Sequence, residues 1–255
     1  MIKSICGLKI YYEVVGSGAP VLLLHGWAND AETMRPMAGV VKDLGFRVFS
    51  IDLPGFGLSD MPEIPWGVND YVNLVAKLLD ELAIEQVSII AHSFGGRIAI
   101  KLGAFHPKLI DKLILVDSAG IKPARSMGYW MTVSFTKLIR GIIRFLPKPI
   151  DEFLRLNLLS KMGSRDYRNA GKLRDTFVKV VNEDLRQYLP SLIFPVLLVW
   201  GELDGETPLS DGRLMERLIP NSQLEVIQGA GHHCFLENPE AFLKIITPFL
   251  VNTGH

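Results

Sequence analysis

The sequence predicts an α/β protein: a mostly parallel, twisted sheet with helices on both faces and a helical cap insertion. Three observations predict it. Short, near-continuous apolar runs alternate with helical patterns along most of the chain, as strands buried on both faces require. One interval, 118–190, breaks the alternation and carries helical patterns only. One apolar run ends abruptly at a serine where a helical pattern begins, which is how a chain makes a tight strand-to-helix turn.

The elements follow in order. Ile2–Ile5 and Leu8–Val14 alternate apolar and polar residues around Cys6 and Gly7 and read as a hairpin. Buried-type strands are expected at Val21–Leu24, Arg47–Ile51, Val87–Ala91, Lys112–Val116, Val196–Trp200 and Leu224–Ile227. Helical spacing falls between and after them, at Glu32–Leu44, Asn69–Leu82, Phe94–Phe105, Leu209–Leu218 and Pro239–Leu250. Inside the interval it recurs at Ser126–Leu146, Ile150–Leu159 and Gly171–Tyr188. Residues 1–117 and 191–255 are therefore expected to form the core domain, and 118–190 a cap, or lid, over the carboxyl ends of the strands.

Composition narrows the function. With 48% apolar residues, the chain has enough material for a sizeable core. A formal net charge of zero argues against nucleic acid as a partner. That total hides an asymmetry: the interval holds 14 Lys/Arg against 6 Asp/Glu, and the remainder 13 against 21, a basic cap on an acidic core. The 2 cysteines, Cys6 and Cys234, lie far apart, and no Cys/His ligand spacing suggests a disulfide framework or a metal site. The run Met1–Gly7 lacks the apolar core of a signal peptide, and no apolar run reaches the ~18 residues a bilayer span needs. A soluble cytoplasmic protein without stable membrane insertion is expected.

Chemistry concentrates at three places. Ser93 stands on the sharp turn, flanked at two residues' distance by the small Ala91 and Gly95. A serine nucleophile needs a base and a group to orient that base, and in an open parallel sheet these come from loops at the carboxyl ends of neighbouring strands. Asp204 follows the strand ending at Trp200, and His232 follows the strand ending at Ile227. The glycines at 229 and 231 let the chain turn and aim an imidazole back over the sheet. Glu202, Glu206 and Asp117 are alternative acids, Asp117 otherwise reading as a loop anchor, and His233 is an alternative base or a neighbour in the pocket. His25 and His92 follow the wrong strands for the base and read as structural. The glycine-rich stretch Asp52–Ser59 lacks the Lys-Ser/Thr ending of a phosphate loop and reads as a pocket rim.

With these residues the chain resembles the α/β-hydrolase family, in its capped serine branch of carboxylesterases and C–C hydrolases. The order Ser93, Asp204, His232 matches the family's order of nucleophile, acid and histidine. The stretches Leu24–Trp27, Asp52–Ser59, Ala91–Gly96, Trp200–Asp204 and Gly229–His232 match its motifs, and Ala91 replaces the first glycine of G-x-S-x-G. The resemblance implies an oxyanion hole from the backbone N–H groups of Trp27 and Phe94, no cofactor or metal, and a small-molecule ester as substrate.

The expected reaction is hydrolysis of carboxylic esters of small to medium hydrophobic compounds through an acyl-enzyme on Ser93. Cleavage of a carbon–carbon bond in a diketone-like acid is the enzymatic alternative; a slow-turnover ligand receptor that keeps the triad is the non-enzymatic one. Epoxide hydrolases and haloalkane dehalogenases of this fold use an aspartate nucleophile, which Ser93 argues against. Tyr129 and Trp130 in the cap are candidate pocket residues. Lys137, Arg140 and Arg144 share one helical face there, either simply solvated, docked on the acidic core, or attracting an acidic substrate or membrane surface.

Overall fold

The computed structural model describes residues 1–122 and 165–252. Its strands are β1 Ile2–Ile5, β2 Leu8–Gly16, β3 Pro20–Leu24, β4 Arg47–Ile51, β5 Val87–His92, β6 Ile110–Val116, β7 Val196–Gly201 and β8 Ser222–Ile227. They form one 8-stranded sheet in the order β1-β2-β4-β3-β5-β6-β7-β8. β1 pairs with β2 and β2 with β4 antiparallel, and all later pairings are parallel. From β3 the chain winds outward to β4, then returns across to β5 and continues the other way. The direction of winding therefore reverses between β3 and β5, and the loops leaving their carboxyl ends diverge to open a crevice.

The helices are α1 Arg35–Asp43, α2 Val68–Glu81, α3 Phe94–Phe105, α4 Arg165–Asn169, α5 Arg174–Asn182, α6 Leu209–Leu218, α7 Cys234–Glu237 and α8 Pro239–Val251. Alternate strand residues feed two apolar clusters, one on each face. Leu22, Leu24, Ile89, Leu113 and Leu198 pack with α2, α3 and α6 residues such as Val75, Ile98 and Met215. Val21, Leu23, Ile90, Ile114 and Val199 pack with Met37 and Val41 of α1 and with Phe242 and Ile246 of α8. Both faces are covered, which is why the strands read as unbroken apolar runs rather than alternating ones. Cys6 is exposed in the β1–β2 turn at φ 51°, and Cys234 is buried as a free thiol.

The structure departs from the sequence expectation in a few places. The first helix starts at Arg35 rather than Glu32, because the Asp30 carboxylate accepts the N–H and hydroxyl of Thr33 in a turn ahead of it. The helices α4 and α7, of 5 and 4 residues, are too short to show a period. The single helix expected over Gly171–Tyr188 is divided: a 3-10 turn at Gly171–Leu173, α5, extended backbone at Glu183, and a 3-10 stretch at Arg186–Ser191. The helices expected at Ser126–Leu146 and Ile150–Leu159, with Lys137, Arg140 and Arg144, lie outside the described residues.

The break at Glu183 has a physical cause in α3. Arg97 and Lys101 point from that helix into the interior, 4% and 1% exposed. The Arg97 guanidinium donates to the Glu183 carbonyl at 2.8 Å, and the Lys101 ammonium donates to the Glu183 carboxylate. The ammonium also lies over the rings of Phe105 and Tyr188. A continuous helix through 183 would withdraw both acceptors from two buried cations, a far larger cost than one interrupted helical turn. Glu183→Ala should therefore lower the unfolding free energy by about 3 kcal/mol in urea titration, by stranding a buried ammonium. Lys101→Met, which removes the charge and keeps the volume, should cost clearly less; equal losses would refute this account of the break.

Candidate active site

Ser93 follows directly on β5 and precedes the first residue of α3, with φ 49° and ψ −111°. Such a backbone costs a non-glycine residue about 1–3 kcal/mol and persists only when its surroundings enforce it. Here the Ser93 N–H donates to the Val116 carbonyl at the end of β6, and the Ser93 carbonyl accepts the N–H groups of Gly96 and Ala119. Gly95 must be glycine because a Cβ there would come within 2.4 Å of the Leu24 carbonyl oxygen of β3. The crowding that demands a small residue thus comes from the neighbouring strand. Ala91, where the motif pattern has glycine, is itself fully buried in β5.

His232 and Asp204 arrive from the loops after β8 and β7. His232 Nε2 lies 3.0 Å from Ser93 Oγ, and His232 Nδ1 lies 2.9 Å from Asp204 Oδ2. In the neutral ring these distances require Nδ1–H donating to the carboxylate and Nε2 accepting the Ser93 hydroxyl proton. Asp204 also accepts the N–H groups of Glu206 and Thr207 at 2.7 and 3.0 Å and the Thr207 hydroxyl at 2.6 Å. Burial pushes this carboxyl up, but its donors outweigh burial and hold it below the usual aspartate range. Burial likewise pulls the His232 imidazole down, and the Asp204 hydrogen bond and charge, with help from Glu206 and Asp117, leave it above its ordinary value of 6.5.

The other candidates take different places. Glu202 accepts the Gly229 N–H at 3.0 Å and ties the two loops together away from the ring. Asp117, at φ 44° after β6, accepts the N–H of Gly201 at 2.8 Å and of Cys234 at 3.2 Å, and so clamps the acid loop to the histidine loop. Burial pushes its carboxyl up to about 6. Glu206 approaches the same ring nitrogen as the serine, with Oε2 3.4 Å from His232 Nε2. His233 packs against His92 with the rings tilted at 44° and 4.9 Å between centroids, and His232 rather than His233 bonds Ser93. His92 is buried, donates from Nε2 to the His232 carbonyl at 2.8 Å, and is pushed down to about 3 by burial and by the neighbouring His232. His25 accepts the Leu53 N–H at Nε2 and fixes the loop after β3 against the loop after β4. Thr207 is a feature that the sequence reading misses, whereas Asp117 takes the place of a loop anchor. The hydroxyl three residues after Asp204 could have suggested the former, since Asp and Thr at that spacing commonly close a turn.

Trp27 and Phe94 border the crevice. Neither backbone N–H meets an acceptor among the described residues. The Trp27 ring packs edge-on against Phe56, Phe94 and Phe177 with centroids 5.0, 5.4 and 5.0 Å away, a wall that joins the loop after β3 to α5. Tyr129 and Trp130 lie outside the described residues. No group of three or more potential ligand side chains that could hold a metal occurs among the described residues, nor a helix long and apolar enough to cross a membrane.

Comparison with known proteins gives a consistent picture. The sequence model of the alpha/beta hydrolase family matches residues 21–245. A 2-hydroxy-6-oxononadienedioate/2-hydroxy-6-oxononatrienedioate hydrolase of Cupriavidus pinatubonensis is 28% identical over 276 residues, covering 96% of this chain and 91% of that protein. A pimeloyl-[acyl-carrier protein] methyl ester esterase of Aeromonas hydrophila is 28% identical over 265 residues, covering 95% and 100%. The solved structure of an esterase from Exiguobacterium antarcticum superposes with a TM-score of 0.77 at 25% identity, over 98% of this chain and 99% of that one.

The histidine environment fixes the sign of a pH response. A base works in its unprotonated form, and a raised imidazole pKa moves the acid limb to higher pH. With His232 as the base for a neutral substrate, kcat/KM should rise with pH through an apparent pKa above 6.5 and then level off. A rate that stays flat from about pH 5 to 8 would rule out His232 as the base.

Proposed function

The chain belongs to the alpha/beta hydrolase family, and on that premise we propose that it is a serine hydrolase cleaving carboxylic esters of small to medium hydrophobic compounds through an acyl-enzyme on Ser93. The observation that carries this reading is the hydrogen-bonded line from Ser93 Oγ through His232 to Asp204, at 3.0 and 2.9 Å. Ser93 Oγ attacks the acyl carbon as His232 Nε2 takes its proton. Asp204 holds Nδ1–H and stabilises the imidazolium that forms. The N–H groups of Trp27 and Phe94 receive the oxyanion, each such donor being worth about 3 kcal/mol in the transition state. The imidazolium then protonates the leaving alkoxide, and the same ring deprotonates the water that frees the acid. The aromatic wall around Trp27 supports a preference for apolar groups. The loss of strand–helix alternation over 118–190 supports assigning that interval to a cap and 1–117 with 191–255 to the core.

Carbon–carbon hydrolysis of a diketone-like acid is the second reading, favoured by the name of the Cupriavidus relative. It uses the same three side chains. Turnover of 4-nitrophenyl butyrate and of a 2-hydroxy-6-oxo-dienoic acid, measured side by side, separates the two. On the ester reading the butyrate is the better substrate, and Ser93→Ala lowers its kcat by at least about 10³. A fluorophosphonate should label the wild type and leave the variant unlabelled. Sustained hydrolysis by Ser93→Ala would end both readings.

A further inference from the structure

Glu206 does not act as the acid, yet it stands at the reacting end of the base. Its Oε2 is 3.4 Å from His232 Nε2, the nitrogen that also faces Ser93 Oγ. Its side chain is 63% exposed, and His232 is its one ion-pair partner among the described residues. No cation within the two loops that carry Asp204 and His232 offsets it. Residues 201–212 and 228–240 carry Glu202, Asp204, Glu206, Asp211, Glu237 and Glu240 and no lysine or arginine. Asp204 is held by His232, Glu202 by the Gly229 N–H, and Glu237 by the N–H groups of Gly231 and His233. Glu206 alone turns its carboxylate toward Nε2.

The position relative to substrate follows without assuming a pose. On the serine-hydrolase reading, His232 Nε2 hands its proton to the leaving atom, which must then lie within about 3.2 Å of that nitrogen. With Oε2 3.4 Å from the same nitrogen, the leaving atom and the carboxylate oxygen are no more than about 6.6 Å apart. We propose that Glu206 selects substrates by charge: the site favours esters whose leaving group is neutral or cationic and discriminates against those that carry a negative charge there. This rests on the serine-hydrolase reading and adds a substrate class to it. A negative charge on the acyl side lies outside the constraint. A charged substituent on a leaving aryl group sits about 5 Å beyond the leaving atom, so in a water-exposed mouth each unit of its charge changes kcat/KM by about two- to threefold at low salt. A screening length of about 3 Å in 1 M salt removes most of it.

The test uses butyrate esters of 4-nitrophenol (neutral), 3-carboxy-4-nitrophenol (anionic) and 3-hydroxy-N,N,N-trimethylanilinium (cationic), each normalised to its rate with hydroxide. Wild-type protein should prefer the cationic over the anionic ester by about four- to tenfold at low salt. The ratio should fall toward one in Glu206→Gln and in 1 M salt, and invert in Glu206→Lys. A wild-type ratio near one, or a ratio unchanged in both variants, overturns the role of Glu206 while leaving the hydrolase reading intact. Absence of turnover of all three esters, or equal turnover by Ser93→Ala, removes the parent reading and this proposal with it.

Discussion

The positive φ of Ser93 is the constraint on which the rest of the site depends. A lone serine would relax out of that conformation; this one is held from three directions. β6 receives its N–H, the start of α3 and the turn after β6 bind its carbonyl, and α3 is seated against the Leu24 carbonyl of β3 through a residue with no side chain. Three adjacent parallel strands therefore fix one hydroxyl. Asp204 and His232 are attached to the next two strands outward, β7 and β8. Asp117, from the end of β6, binds the loops of both. The geometry of the three side chains is thus set by strand spacing across the sheet, with loop conformation following from it.

What was legible in the sequence was what is encoded locally. The strands buried on both faces announce themselves as apolar runs, and α3 and α6 begin and end where their periodicity does. That Ser93, Asp204 and His232 meet was foreseeable because each lies within a few residues of the carboxyl end of a strand in one parallel sheet. The interruption of the helix at Glu183 was not readable, because its cause lies in Arg97 and Lys101, more than eighty residues earlier. The small-residue requirement at Gly95 was legible, but its origin in Leu24 was not, since only the pairing of β3 with β5 brings the two together. The nearness of Glu206 to the His232 ring is likewise a product of two loops meeting, and no spacing along the chain contains it.

The histidines around the site show why burial matters to its electrostatics. His92 touches the His232 ring and donates to its backbone carbonyl, so a charge on His92 would oppose a charge on His232. Dry surroundings keep that ring neutral throughout the range in which His232 titrates. His25 does comparable structural work on the other side of the crevice, also from a fully buried position and also pushed down. Imidazoles thus brace both halves of the site, and of His25, His92 and His232 only the one supported by Asp204 is pushed up rather than down.

The two thiols are equally unlike each other. Cys234 is packed between the clamp and the histidine loop, and burial drives its ionisation far above the physiological range, so the nucleophilic thiolate is absent. Cys6 sits in the open at a hairpin tip on the sheet's outermost edge. A maleimide dye or a surface tether would therefore attach at a single address, several strands away from Ser93, and the protein could be immobilised or followed one molecule at a time without mutating either cysteine.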